Sequence, residues 1–372
     1  MNDRRGISTA WPLFLFYFVL VVYASLYPFT GWRSQGIAPW LFLTAPWPSY
    51  LTTFDLVSNF LGYVPLGFLL ALALARSGYP RAAWWLGMAV PAMVSLLMEG
   101  TQNFLLHRVP SQVDWLLNSA GGAMGVLLAW LMLRWGLLGP WQAFRQTGLV
   151  QRTHGAVLVL LFWPLALLYP TPLPYGLGQV WPRLEAALIR LTEGSILDGW
   201  VPQPALSPPL SPLTEAVVVA LCVWAPILLG FAILRRTTHR AVFMLLSIPM
   251  VLGVSMLSAS LTYGPQHAWV WLTQPVSLGL IFALAMTLFS LTIGHRTAAV
   301  LSLLAWSFAL GWLNRAPEVA YFAQSLQIWE QGRFIHFHGL SQWLGWLWPY
   351  GALWVGLRLA LRPAPSSYNG RL

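Results

Sequence analysis

The chain has no lysine and a single cysteine, and only 8% of its 372 residues are charged. So little charge, set against 58% hydrophobic residues and a mean hydropathy of +0.64, excludes an ordinary soluble domain and points to a polytopic membrane protein. Cys222 lies inside an apolar run. It therefore excludes an internal disulfide, a CxxC redox pair and a thiolate metal site, and reads as a small core hydrophobe. No phosphate-cradling glycine loop and no nucleic-acid motif is present, so the formal net charge of +10 is read from where its charges fall. No small-residue cleavage site follows the first long apolar run; Tyr27-Pro28-Phe29 comes instead, which predicts a retained first span rather than a cleaved signal.

What is present is apolar sequence in long runs. A span needs roughly 20 mostly apolar residues at about 1.5 Å each. That window predicts an all-α protein of about ten transmembrane helices, at 11–29, 54–76, 82–106, 112–135, 154–170, 213–234, 241–262, 267–291, 296–313 and 341–361. The positive-inside bias supplies an independent signal. With both termini cytoplasmic, fourteen of the twenty arginines fall on the inner side and six on the outer, and of the ten acids only Asp3 lies inside. The organisation expected is a membrane domain of about four spans over 1–140, a further region of about six spans over 150–362, and a cytoplasmic tail at 363–372. The localisation expected is a bacterial inner membrane.

Two outer segments, 171–212 and 314–340, are too long for simple turns. Between prolines of the first, Trp181, Leu184, Leu188 and Leu191 recur at helical spacing; Val319, Phe322, Leu326 and Trp329 repeat the pattern in the second. Both predict short amphipathic helices in the outer interface, placed to cap or line a site. The Trp343, Trp346 and Trp348 stretch reads as an interfacial aromatic belt. Leu26-Tyr27-Pro28 and Leu168-Tyr169-Pro170 echo each other, and with nothing else repeated the echo is treated as chance.

The polar residues break this pattern in one place. Asp55 and Asn59, Glu99 and Gln102, and Arg108, Ser111, Asp114 and Asn118 lie in or at the ends of spans two to four. Ionisable groups cost roughly 2.5 to 3.5 kcal/mol each at the bilayer centre, so those that persist pair, face a bundle interior and mark functional sites. Asp55, Asn59 and Gly62 share one helical face; Ser95, Glu99 and Gln102 share another; Ser111, Asp114, Asn118, Gly121 and Gly125 form a third stripe. Gly121-xxx-Gly125 is a small-residue seam that admits a neighbouring helix. The topology places these ends on the outer side, so the site is expected to open outward.

Asp55 and Asp114 fall in first turns, where capping is the structural alternative to a ligand role. Glu99 is expected about seven residues, or about 10 Å, from the outer end of its helix, and an ionised carboxylate there needs a partner or a proton. Arg108 is the nearby cation, and its planar fork suits a carboxylate or a phosphate. Paired with Glu99 or Asp114 it is structural glue; left partly free it is an anion receptor. His107 beside it, and His336 with His338, are the parts from which acid-base chemistry on a lipid-linked phosphate, or a metal site, would be built, but no phosphatase signature accompanies them. No cofactor and no metal is expected. A carrier would use inverted repeats and midplane charges, and neither is visible.

The pattern Asp55-Leu-Val-Ser-Asn59-Phe60, Gly62-Tyr-Val-Pro65-Leu-Gly67, Ser95-x3-Glu99-x2-Gln102 and Arg108-x2-Ser111-x2-Asp114-x3-Asn118, with Gly121 and Gly125, resembles the VanZ-like membrane protein family over roughly residues 15–135. The resemblance implies a cell-envelope protein of a family associated with resistance to glycopeptide antibiotics such as teicoplanin. It implies no reaction. The function expected is a binding or interaction protein whose outward pocket takes an anionic or glycosylated envelope lipid, or a glycopeptide-type amphiphile. Glu99, Arg108 and Asp114 would be its charged centre, with Asp55, Asn59, Gln102, Ser111 and Asn118 as hydrogen-bonding walls. A secondary transporter and a membrane enzyme acting on lipid-linked phosphate or glycan are the other two classes. Membrane lipids are the partners expected, nucleic acid is not, and the oligomeric state is undetermined by sequence.

Overall fold

In hydrocarbon a backbone must satisfy its own hydrogen bonds, so long apolar runs become helices. The computed structural model describes residues 10–27, 29, 31–47, 53–106, 108–151, 153–194, 208–316 and 335–361. Among these are twelve α-helices and no strand. They are α1 (Ala10–Leu26), α2 (Thr53–Arg76), α3 (Pro80–Gln102), α4 (Gln112–Arg134), α5 (Gly139–Gly148), α6 (His154–Leu167), α7 (Trp181–Thr192), α8 (Pro212–Ile233), α9 (Thr237–Tyr263), α10 (Gln274–Phe289), α11 (His295–Leu313) and α12 (Ile335–Ala360).

Each of the ten apolar runs coincides with a helix. Six of them, α2, α3, α4, α8, α9 and α11, are long and apolar enough to cross a membrane. Helices α1, α6 and α10 are apolar but shorter, at 17, 14 and 16 residues. The described residues divide into two compact units, within 1–142 and 143–372.

In the first unit, α1 lies against α2 and α3 through Phe14, Val21, Tyr63, Leu66, Leu70 and Val94. The closest approach is between α2 and α4, and glycine makes it. A Cβ on Gly121 would overlap the carbonyl oxygen of Phe60, one on Gly125 that of Val64, and one on Gly67 that of Gly122. Helix backbones meet there with no side chain between them, as the small-residue stripe predicts. Gly62, on the other hand, has open space around it.

The second unit is organised by α8, whose residues from Val218 to Val223 and from Ala225 to Ile233 are almost all buried. A helix apolar on every side needs neighbours on every side. α10, α11, α6, α9 and α12 supply them. Arg240, buried at the start of α9, is spent on structure: its guanidinium donates to the carbonyls of Leu234, Leu291 and Ile293 and meets His295 Nδ1 at 3.1 Å. Cys222 is 1% exposed within α8, the core position expected of it. Trp348 is not part of an interfacial belt. It is buried between Trp163 and Trp306 and donates to the carbonyl of Val159 at 2.7 Å, whereas Trp343 is half exposed.

The amphipathic helix expected between the prolines is α7, with Trp181, Leu184, Leu188 and Leu191 exposed along one face. Its start is held by a side chain far away in sequence: Asn314 Oδ1 accepts from the backbone N–H groups of Val180 and Trp181 at 3.0 and 2.9 Å. The second amphipathic segment, at Val319 to Trp329, lies outside the described residues, as do His107 and the tail. The side chains of His336 and His338 lie outside them too.

Candidate functional site

The polar residues of α2, α3 and α4 gather where α3 ends and α4 begins. Helix α3 ends at Gln102, after which Phe104, Leu105 and Arg108 bond back to carbonyls three residues earlier. Glu99 therefore lies in the last turn of α3, one turn nearer the helix end than the sequence predicts. The apolar run Phe104-Leu105-Leu106 reads as more span, yet Leu105 already pairs with Trp32 in an isolated bridge. Glu99 is nevertheless 4% exposed. Its burial does not come from depth along its own helix, and the residue that starts α4 meets its carboxylate.

A carboxylate in the last turn faces the negative end of the helix dipole and needs donors from elsewhere. Glu99 Oε2 accepts from the backbone N–H of Ser111 at 2.9 Å. Ser111 is extended (φ −135°, ψ 131°) and caps α4: its hydroxyl accepts from the N–H of Val113 at 3.2 Å. One residue thus starts α4 and ties it to the end of α3. Asp114 is not the side chain that caps the helix.

Arg108 and Gln102 act on a third helix. The last carbonyls of an α-helix have no partner within it. Arg108 Nη2 donates to the carbonyl of Ala24 at 2.9 Å, and Gln102 Nε2 to that of Ser25 at 3.0 Å, so these two side chains close the end of α1. Arg108 sits in the turn between α3 and α4. Burial lowers its pKa from the ordinary arginine value, against the pull of Glu99 and Asp114, whose charges both act on it. The 31–47 segment is pinned over the same region: Asn103 Nδ2 donates to Ile37, Gln112 Nε2 to Ala45, and the N–H of Arg33 to Phe104.

Asp114 is half-buried, with the side chain of Asn59 beside it and the charges of Asp55 and Arg108 acting on it. Asp55 is exposed. The structure thus brings Asp55, Asn59, Glu99, Arg108, Ser111 and Asp114 into one electrostatic neighbourhood, with three carboxylates and one guanidinium among the described residues. Gln102 stands at the α1 side of it. Asn118 lies one turn further along α4, buried, where its Nδ2 donates to Ser95 Oγ at 2.9 Å and its Oδ1 has no hydrogen-bond partner.

Three further participants were not evident from the sequence. Tyr63, four residues after Asn59 on the same face of α2, is 6% exposed and lies near Ser95, Ser25 and the charge of Glu99. Its helical spacing from Asn59 could have found it. Ser25 and Ala24 act through backbone carbonyls, which carry no residue signature. Among the described residues no group of three or more His, Cys, Asp or Glu is arranged to hold a metal ion.

These features can be compared with known proteins. Residues 12–133 match the VanZ/LLP1 family model. The match runs from the start of α1 to the end of α4, the helices that build the site, and covers less than half of the chain. Residues 12–133 are therefore similar to the VanZ/LLP1 family, and the rest of the chain lies outside that match. No curated protein and no solved structure matches the chain.

Proposed function

We propose that the VanZ-like segment binds the polar head of an envelope amphiphile, a glycosylated lipid or a glycopeptide-type molecule, between Glu99, Arg108 and Asp114, and so contributes to envelope homeostasis or antibiotic resistance. The observation that carries this reading is the neighbourhood of three carboxylates with one guanidinium where three helices meet. Buried polar networks kept only for stability are commonly replaceable by apolar packing at little cost. Among the described residues the acids outnumber the cation here, and Asn118 Oδ1 remains unpartnered beneath them.

The balance of charge favours a hydroxyl-rich head over an anionic one. Carboxylates accept hydrogen bonds from hydroxyls and Arg108 donates to their oxygens, whereas a phosphate would meet Asp55, Glu99 and Asp114 at once. The distribution of arginines supports a bacterial inner membrane with this end of the helices facing outward.

Titration of the full protein in nanodiscs with a glycosylated amphiphile tests the proposal. Saturable binding is expected, weakened about tenfold by Asp114→Asn or Arg108→Gln, in line with removal of one charged hydrogen-bonding partner. Binding equal to the native protein in both variants would sink it.

A further inference from the structure

A second feature, independent of the VanZ-like segment, lies wholly within the second unit, at the end where α6 and α9 finish and α8 and α10 begin. A cavity of about 340 Å³ opens there, within the range of small-molecule sites. One wall is a stripe of α9: Ser255, Ser258 and Thr262, at positions i, i+3 and i+7. Ser258 donates its hydroxyl proton to the carbonyl of Leu168 at 2.9 Å, and Thr262 donates to that of Ser258 at 2.7 Å. Their donors are spent, and what they turn to the cavity is acceptor oxygen.

The opposite wall is Tyr175. It holds φ at 67°, the left-handed region that non-glycine residues rarely adopt and that recurs at binding sites. It is 4% exposed and lines the cavity, and its hydroxyl, close to Ser255, has no partner within hydrogen-bonding geometry. The loop that imposes this posture is rigidly tied. Gly178 donates its N–H to Gly345 and accepts from the hydroxyl of Tyr350, and a Cβ on Gly176 would overlap Leu313. The ring of Trp271 stands edge-on to that of Tyr175, 5.9 Å between centroids and 82° between planes.

Among the described residues one formally charged residue lines the cavity, Glu215, half-buried in the first turn of α8 and without an ion pair to any of them. The helix dipole accounts for an acid at that position. It does not account for a cavity, a strained tyrosine and a tryptophan gathered beside it. Among the described residues no Arg or His lines the space. An anionic ligand would meet an uncompensated carboxylate, and a neutral polyol would leave that carboxylate unpaired. A cation with an apolar body satisfies the acid, the aromatic rings and the acceptor oxygens together.

We propose that this cavity binds an amphiphilic organic cation, an ammonium group carried on an alkyl chain, with the ammonium paired to Glu215 and walled by Tyr175 and Trp271. Hexylammonium, titrated calorimetrically into the full protein in dodecyl maltoside, is the probe. The expected result is saturable binding, weakened about tenfold by Glu215→Gln and likewise by Trp271→Ala, unchanged by Glu99→Gln and not displaced by hexyl glucoside. Glu215→Gln keeps the shape of the side chain, and thermal unfolding of each variant establishes that it is folded. Absence of saturable binding in the native protein, binding by Glu215→Gln within about twofold of native, or equal competition by hexyl glucoside would each overturn the proposal.

Discussion

Ser111 carries two jobs in adjacent atoms, a hydroxyl that caps α4 and an N–H that serves Glu99. Substitution separates them. Ser111→Ala removes the cap and keeps the backbone donor, so a loss of about 1 kcal/mol in thermal unfolding is expected with ligand binding retained. A loss of binding at unchanged stability would place the hydroxyl in the ligand site instead. Periodicity alone is enough to gather Asp55, Asn59, Glu99, Ser111 and Asp114, because three stripes at helical spacing have one mutual end. It does not show that Arg108 and Gln102 close α1, since their acceptors are the backbone oxygens of Ala24 and Ser25. Nor does it find the true end of α3. The residues after Gln102 are as apolar as those before it, and only their contacts with the 31–47 segment reveal that the chain has turned.

At the scale of elements, glycine decides how close α2 and α4 come. Gly121→Ala and Gly125→Ala each force a methyl group into a facing carbonyl, and each is expected to destabilise the protein by about 1–3 kcal/mol. Gly62→Ala is the control. It lies on the same pair of helices in open space, and its expected effect on the unfolding temperature is neutral or slightly stabilising. Equal effects at all three positions would show that the seam does not set the packing. The same seam is legible as Gly121-xxx-Gly125 because two glycines at i and i+4 clear one face of an apolar helix for a neighbouring backbone. The cavity beside Tyr175 leaves no comparable trace. Its residues come from two loops and four helix ends, and the decisive property, a tyrosine held at positive φ by packing around Gly176 and Gly178, belongs to no local pattern.

The whole molecule joins a VanZ-like segment to an additional region whose core surrounds α8. Long apolar runs make the helical content legible, because a chain this poor in charge has few other ways to satisfy its backbone. The partition of arginines makes a claim at this scale as well. After Cys222→Ala, a buried change, single cysteines at Ser111 and Arg145 are expected to react with membrane-impermeant maleimide from opposite sides, position 111 from outside. Reaction of position 111 from the cytoplasmic side alone would reverse the proposed topology.

Cross-linking in native membranes tests the central claim most directly. A photoreactive glycosylated amphiphile, irradiated with the full protein and mapped by peptide mass, is predicted to leave adducts within residues 99–118 that an excess of unlabelled amphiphile suppresses and that Asp114→Asn diminishes. Adducts confined to other segments, or adducts at 99–118 indifferent to both competitor and substitution, would contradict it.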